Sequence, residues 1–225
     1  MEKEKGGALG RHGRLKRAQE IVRERTFVLI KPDGLMRGLV GEIIGRFERV
    51  GLKIIALRQF SQVEARRRAE AHVSVSQEWY ETVGERNLAE YARSGVDPIA
   101  LHGTADPLEI GRQVRTVLVE YLGMGPVVAL VLEGPRAVTV VRRLLGATLP
   151  EQALPGTIRG DFGIDSVELA NLLGLGCKNL VHASNPVEEV AREIAVWFGP
   201  EDLCEWCRPD ETLWLGAVVR KPHSV

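Results

Sequence analysis

Four short apolar runs alternate with longer stretches of helical periodicity, and this alternation strongly limits the folds open to the chain. The runs are rich in β-branched residues and are bounded by Gly, Pro or Asp, so they predict buried strands. The order strand, helix, strand, helices, strand, helix, strand, helix predicts an α+β fold with a ferredoxin-like, split β-α-β antiparallel sheet and covering helices. A doubly wound parallel sheet is the alternative. The predicted strands are residues 26–30, 52–60, 126–132 and the run that contains His182.

The chain is long enough for one domain of ~150 residues with extensions. Residues 1–25 carry eight Lys or Arg against four Glu and little apolar periodicity, which predicts a flexible basic extension with helix possible near its end. Residues 26–198 are predicted to form the domain, with insertions near 74–110 and 163–177. Only short helices are predicted within 74–110, where the pattern is weak. Residues 199–225 are predicted to be a C-terminal extension of the same domain, with an apolar run at 213–219.

The net charge and the number of cysteines limit the kinds of function that this chain can have. Thirty basic and thirty acidic residues give zero net charge, which makes nucleic acid an unlikely partner and requires any anion site to be local. No run approaches the ~20 apolar residues of a membrane span, and no secretion signal is evident. Three cysteines argue against a disulfide framework, so the prediction is a cytoplasmic protein without membrane contact.

A histidine at a strand end is the first chemical signal. The run Asn179 to Asn185 delivers His182 to the end of the last strand, where Asn185, Pro186 and Glu188 read as N-cap, first helical residue and capping-box acid. Helix-start N–H groups attract anions, and neutral imidazole is a nucleophile. The pattern therefore indicates phosphate meeting a histidine, and a structural histidine that closes a strand is the alternative.

Other side chains that can bind phosphate also lie at the ends of predicted strands and helices. Lys31 follows the first strand, Arg142 ends a helix and Thr148 lies just beyond it, while Arg159 sits in a Gly-flanked loop. Together with Asn179 and His182 these groups could surround a polyphosphate. The Gly-rich strand-to-helix turn of a Rossmann or P-loop nucleotide site is absent from the sequence.

These residues carry a resemblance to the nucleoside diphosphate kinases, over roughly residues 25–72 and 111–198. The block at 155–162 and the histidine block are its most specific parts. The motifs that resemble the family are Lys31-Pro32-Asp33-Gly34, Gly125-Pro126-Val127-Val128, Arg142 to Thr148, Pro155-Gly156-Thr157-Ile158-Arg159-Gly160-Asp161-Phe162 and Asn179 to Ser184.

The resemblance implies ping-pong transfer of a γ-phosphoryl group from a nucleoside triphosphate (ATP) to a nucleoside diphosphate through phosphorylated His182. It further implies Mg²⁺ bound through the nucleotide phosphates, no metal site on the protein, and a homo-oligomer of four or six chains. Ser184 and Glu193 would orient the imidazole, since a carboxylate on one ring nitrogen frees the other to attack. The implied phosphate and sugar contacts are Lys31, Arg142, Thr148, Arg159 and Asn179.

The sequence departs from the usual pattern of the family in three places. It has His182-Ala183-Ser184-Asn185 where members commonly read His-Gly-Ser-Asp, and Asn keeps the N-cap. Val73 and Ser76 replace residues near the base, so Trp79 or Tyr80 is predicted to stack on it, with core or interface packing as the alternative. The third departure is length, in the two insertions and at both termini.

Two rival interpretations remain. The departures motivate a catalytically inactive nucleotide-binding or assembly module of the same fold, and the basic tail motivates a nucleic-acid-binding protein. Cys204 and Cys207 have metal or redox spacing but lack further ligands, and they are interpreted as adventitious. No role is assigned to the remaining histidines, which are His12, His72, His102 and His223.

Overall fold

The structure is a computed structural model that describes residues 11–211 apart from 174 and 186. Three sequence predictions lie outside the described residues: Pro186 as the first residue of a helix, the apolar run at 213–219, and the first ten residues of the N-terminal extension.

A four-stranded antiparallel sheet forms the centre of the molecule, with strand order β2-β3-β1-β4. β3 lies between β1 and β2, so the two strands joined by the first helical crossover are not adjacent, which is the pattern of the predicted split β-α-β sheet. Pairing of β1 with β4 places Leu29 opposite His182, and a β-bulge interrupts β2 between Ile54 and Ala56. The strands are β1 (Glu24–Ile30), β2 (Lys53–Phe60), β3 (Val127–Gly134) and β4 (Val181–Ala183).

Eleven α-helices are described. They are α1 (Arg11–Val22), α2 (Pro32–Met36), α3 (Val40–Arg49), α4 (Gln62–His72), α5 (Gln77–Ser94), α6 (Pro98–His102), α7 (Pro107–Leu122), α8 (Ala137–Leu145), α9 (Ile158–Phe162), α10 (Val167–Leu172) and α11 (Val187–Trp197).

Both faces of the sheet are covered, which explains why β1 and β3 read as continuous apolar runs. On one face Phe27 and Leu29 pack against residues of α4, α7 and α11, including Trp197. On the other face Val28 and Ile30 pack against α3 and α8. Alternate residues of a strand point to opposite faces, so every position of β1 from Thr26 onward is buried.

Side-chain caps set the start of several helices. Ser61 and Glu64 form a reciprocal capping box at the start of α4, with the Ser61 hydroxyl accepting from Glu64 N–H and Glu64 accepting from Ser61 N–H. Asp97 and Asp106 cap α6 and α7, each followed by a proline at the first helical position.

The segment after α4 differs from the prediction of short helices, because residues 77–94 form one helix, α5, of 18 residues. α5 packs closely along α7 through two glycines: a Cβ on Gly111 would lie 2.0 Å from the Tyr80 carbonyl oxygen, and one on Gly84 would lie 1.8 Å from that of Pro107. The backbones can approach only where side chains are absent. In the sequence Gly84 indicates a break between helices, whereas in the structure it lies within α5 and allows close packing against α7.

Within the described part of the chain, no helix combines the length and the hydropathy that crossing a membrane requires.

Candidate active site

β4 brings His182 to the surface of the sheet. Val181 and Ala183 are buried on either side of it, whereas the His182 side chain is 31% exposed. Burial of the flanking apolar residues fixes the strand and therefore the position of the imidazole.

Glu193 of α11 fixes the orientation of that imidazole. His182 Nε2 lies 3.0 Å from Glu193 Oε1 and 3.1 Å from Oε2, and the Ser184 hydroxyl donates to Oε2 at 2.5 Å. An ionised carboxylate can only accept, so Nε2 carries the proton of neutral His182 and the lone pair lies on Nδ1. Burial raises the pKa of Glu193, but the electrostatic attraction of the His182 imidazole and the hydrogen bond with it lower that pKa to about 2. The available nucleophile is Nδ1 of His182.

A second histidine lies behind this pair. His72, the last residue of α4, is buried, and its ring meets that of His182 edge-on with centroids 4.7 Å apart. Its Nδ1 accepts from the indole N–H of Trp197 at 3.3 Å, and its Nε2 lies 4.0 Å from Glu193 Oε1. The sequence assigned no role to His72, and the one available signal was its helical spacing from Ala65 and Ala69, which share the buried side of α4 with it.

One atom each of His72, His182 and Glu193 could ligate a metal ion, since the three lie within 4.8 Å of one another. The hydrogen bonds oppose this use. Trp197 can only donate, so the His72 lone pair is on Nδ1, and His182 presents its own N–H to Glu193. Both histidine nitrogens that face the carboxylate therefore carry protons, so neither presents a lone pair to a metal ion there.

Lys31 and Asn179 form a second polar cluster. Lys31 Nζ donates to Asn179 Oδ1 at 2.6 Å and lies 4.7 Å from the centroid of the Tyr121 ring. Asn179 Nδ2 donates to the Thr148 carbonyl at 2.8 Å. Burial, followed by the nearby charge of Arg159, lowers the pKa of Lys31 to about 8. Lys31 is thus a buried cation without a hydrogen-bonded carboxylate among the described residues.

Arg159 joins the two clusters. Its guanidinium donates to the carbonyls of Asn179 at 3.1 Å, Val181 at 2.6 Å, and Gly146 and Ala147 at 3.1 Å each. Carbonyl groups satisfy its N–H donors without neutralising its charge, and burial together with Arg142 lowers its pKa to about 10. The Arg142 and Thr148 side chains are exposed beside it. The net result is local positive charge on a chain of zero net charge, which favours an anion.

A strained turn connects the clusters. Leu180 has φ 69°, and the N–H of Val181 donates to the Asn179 carbonyl at 2.8 Å across it, as in a γ-turn. Asp33 holds the turn, because its carboxylate accepts from Leu180 N–H at 3.0 Å and from the Tyr121 hydroxyl at 2.7 Å. Tyr121 in turn accepts from Asn179 N–H at 3.2 Å. This arrangement sets the direction in which Asn179 and His182 emerge.

The two aromatic candidates lie on α5, apart from these clusters. Trp79 packs against the core cluster that contains Phe27 and Trp197. Tyr80 is half-buried, with its ring 5.7 Å from that of Trp79 and 6.0 Å from the Arg112 guanidinium. Among the described contacts, neither ring touches Lys31 or His182.

A cavity of about 260 Å³ lies elsewhere, where the terminal extensions meet the body of the protein. Its lining includes Arg23, Lys53, Glu133 and Glu211, and shares no residue with the site around His182. Lys53 already pairs with both carboxylates, Glu133 at 2.8 Å and Glu211 at 3.1 Å. The phosphate-competent residues therefore define the candidate active site, and this cavity does not.

Comparison with known proteins identifies the family. A family model described as nucleoside diphosphate kinase matches residues 24–90 and 109–203. The nucleoside diphosphate kinase of Pyrobaculum aerophilum is 47% identical over 182 residues, covering 81% of this chain and 98% of that protein. That of Archaeoglobus fulgidus is 41% identical over 192 residues, covering 85% and 97%.

Solved structures agree with this match and confirm the predicted ferredoxin-like α+β fold. An NDP kinase from Pyrobaculum aerophilum superimposes with a TM-score of 0.78 at 46% identity, covering 81% of this chain and 100% of the other. A transition-state mimic of the Borrelia burgdorferi nucleoside-diphosphate kinase, with bound vanadate and ADP, gives 0.65 at 32% identity and covers 86% and 97%. The chain belongs to the nucleoside diphosphate kinase family.

Proposed function

We propose that this protein transfers the γ-phosphoryl group of a nucleoside triphosphate such as ATP to a nucleoside diphosphate, by a ping-pong mechanism through phosphorylated His182. The observation that carries the proposal is the hydrogen bond between His182 Nε2 and Glu193, which leaves Nδ1 free. The same site holds two buried cations, Lys31 and Arg159, whose hydrogen bonds among the described residues go to an amide oxygen and to carbonyls.

The first half-reaction uses Nδ1 of His182 as the nucleophile. A bond forms between Nδ1 and the γ-phosphorus while the bond from that phosphorus to the β,γ-bridging oxygen breaks, and its electron pair leaves on the nucleoside diphosphate. Glu193 stabilises the Nε2–H of the imidazole throughout. In the second half-reaction a terminal phosphate oxygen of the acceptor attacks the same phosphorus, which breaks the N–P bond and restores neutral His182.

The cations hold the phosphates for this transfer. Lys31 and Arg159 supply charge from buried positions, and Arg142 supplies it from the surface. The exposed Thr148 hydroxyl is a further donor, while the Asn179 amide aligns Lys31 and is assigned to the sugar and phosphate side. Because burial and hydrogen bonds fix Lys31 and Arg159 beforehand, little reorganisation is required when nucleotide binds.

We further propose that Mg²⁺ enters bound to the nucleotide phosphates. The nearby carboxylates are already engaged, Asp33 by Tyr121 and Leu180, and Glu193 by His182 and Ser184. The residues therefore fit a metal held by phosphates and water, without protein ligands. Such a metal neutralises phosphate charge during transfer.

For the nucleobase, Tyr80 is better supported than Trp79 as a stacking surface, since Trp79 packs against the core. We also propose a homo-oligomer of four or six chains, as the family resemblance implies. A cytoplasmic location is proposed as well, and the three cysteines, all free thiols, support it.

Labelling with γ-³²P ATP tests the proposal. Wild type should form an acid-labile, alkali-stable phosphoenzyme that an added nucleoside diphosphate discharges, and His182→Gln should abolish it. The matched control is His102→Gln, a histidine hydrogen-bonded to Tyr91 and Gln113 outside the site, which should label normally. Equal labelling of His182→Gln would reject the mechanism, and a wild type that binds nucleotide without labelling would favour the inactive module.

A further inference from the structure

His72 is a buried, polar neighbour of the nucleophile that the proposed reaction does not use. It is 6% exposed, and three aromatic rings surround it: Phe27 at 5.7 Å, His182 at 4.7 Å and Trp197 at 5.8 Å between centroids. A phenylalanine would fill the same space, so a histidine here calls for a reason beyond packing.

The hydrogen bond from Trp197 fixes which nitrogen of His72 carries a proton. The indole nitrogen can only donate, so His72 Nδ1 must accept, and the proton of the neutral ring lies on Nε2. Nε2 is the atom that faces Glu193, 4.0 Å from Oε1. Trp197 is 1% exposed and packs between Phe27 and Phe60, so it cannot easily turn away.

The neutral state of His72 matters for Glu193. Burial, together with the nearby His182, lowers the pKa of His72 to about 3, so the ring is uncharged at neutral pH. A charged imidazolium would compete with His182 for the carboxylate. A neutral ring instead directs an N–H dipole at Glu193 and leaves its negative charge available to His182.

We propose that His72 is a positioning residue for phosphoryl transfer, which orients Glu193 through its Nε2–H and fixes the plane of the His182 ring through their edge-on contact. The inference rests on the proposed function, since it concerns the same nucleophile. The chain Trp197, His72, Glu193, His182 runs from the core to the reactive nitrogen, and each member restricts the next. His72 touches no substrate in this scheme.

Two substitutions separate positioning from packing. His72→Phe keeps the ring volume and removes the N–H, whereas His72→Gln restores an amide N–H and an acceptor for Trp197. The rate constant of phosphoenzyme formation should fall about 10-fold in His72→Phe, because small misplacements of a reacting group lower rates steeply. His72→Gln should recover most of that loss. ADP affinity should be unchanged in both, because the change affects a reaction step and not binding.

His102→Phe is the matched control, since it removes a hydrogen-bonded histidine outside the site, one that contacts Tyr91 and Gln113. Its phosphorylation rate should equal that of wild type. Long-range ¹H–¹⁵N spectra of wild type provide an independent readout that does not depend on a variant folding. They should show His72 protonated on Nε2 and neutral between pH 6 and 8.

The inference is overturned if His72 carries its proton on Nδ1, if His72→Phe phosphorylates as fast as wild type, or if His72→Phe and His72→Gln are equally slow. If wild type is labelled normally and His72→Phe is phosphorylated as fast as wild type, only the role of His72 is rejected. A wild type that never labels His182 rejects the proposed function and this inference together.

Discussion

At the scale of single residues, the site depends on charges held without full compensation. Lys31 donates to an amide oxygen and Arg159 to four carbonyls, so neither cation is neutralised by a hydrogen-bonded carboxylate in the described part of the chain. Glu193, by contrast, is committed to His182 and Ser184. The positive charges of Lys31 and Arg159 are therefore available to attract an anion, whereas the Glu193 carboxylate is already engaged by the imidazole.

Lys31 should make nucleotide binding depend on pH. Its pKa in the free protein is about 8, so Lys31 is charged below that pH and increasingly neutral above it. A polyanion favours the charged form, so binding above pH 8 requires uptake of a proton and affinity should fall by up to about tenfold per pH unit. Titration of ADP at pH 7 to 9 measures this effect.

Lys31→Met is the control for that titration. It should bind ADP weakly and with a flat profile over the same range. If Lys31→Met shows the wild-type slope, another group is responsible for it.

At the scale of elements, the turn before β4 determines where His182 points. Leu180 adopts a left-handed conformation that β-branched or bulky residues avoid, and it is held from outside by Asp33 of α2 and indirectly by Tyr121 of α7. Strain of this kind persists only where surrounding contacts over-determine it. Two helices distant in sequence therefore maintain the strand end that carries His182.

Tyr121→Phe tests this support. It removes the hydroxyl that donates to Asp33 and accepts from Asn179 N–H, and leaves that buried N–H without its partner. The free energy of unfolding should decrease by about 2 kcal/mol. ADP affinity should also fall, because Asn179, which accepts from Lys31, loses a contact that positions it.

Urea unfolding at fixed protein concentration provides the measurement for Tyr121→Phe. The matched change Tyr80→Phe removes a hydroxyl for which the described residues show no hydrogen-bond partner, and should alter stability by less than about 0.5 kcal/mol. Equal losses of stability in Tyr121→Phe and Tyr80→Phe would contradict the structural role assigned to the Tyr121 hydroxyl.

At the scale of the whole molecule, the residues after α11 attach to the edge strand β2. Cys204 N–H donates to the Ile55 carbonyl at 2.7 Å, and the Trp206 indole donates to the Ile54 carbonyl at 3.0 Å. Lys53 Nζ contacts the Trp206 carbonyl at 2.6 Å and pairs with Glu133 and Glu211. An open sheet edge is thereby partly covered by the chain itself.

Lys53→Met should destabilise the protein without touching the chemistry. Lys53 and Glu133 are both buried, and removing one partner leaves Glu133 with Arg25 alone, at 3.0 Å. The expected loss is about 3 kcal/mol in urea unfolding. The folded fraction should still phosphorylate at the wild-type rate.

Arg58→Met is the comparison for Lys53→Met, because the Arg58–Glu64 pair at 3.2 Å is largely exposed. Exposed pairs contribute at most about 1 kcal/mol. If Arg58→Met loses as much stability as Lys53→Met, burial does not determine how much these ion pairs contribute to the free energy of unfolding.

The sequence alone determined the four strands and which residues were proposed to contact phosphate, but neither the extent of α5 nor a role for His72. Burial on both sheet faces imposes continuous apolar runs on β1 and β3, and the chemistry of phosphate imposes Lys, Arg and His at element ends, so both are visible as local patterns. α5 was predicted only as short helices, because half of its residues are exposed and its apolar periodicity is weak, although Ser76 caps it.

Only the tertiary structure decided how those residues act on one another. Whether Lys31 is paired, which nitrogen of His182 faces Glu193, and what holds Leu180 depend on contacts between elements far apart in the chain. His72 is the sharpest case, since its tautomer is set by Trp197 of another helix. Sequence patterns record which surface is buried, whereas the direction of a hydrogen bond exists only after helices and strands have packed.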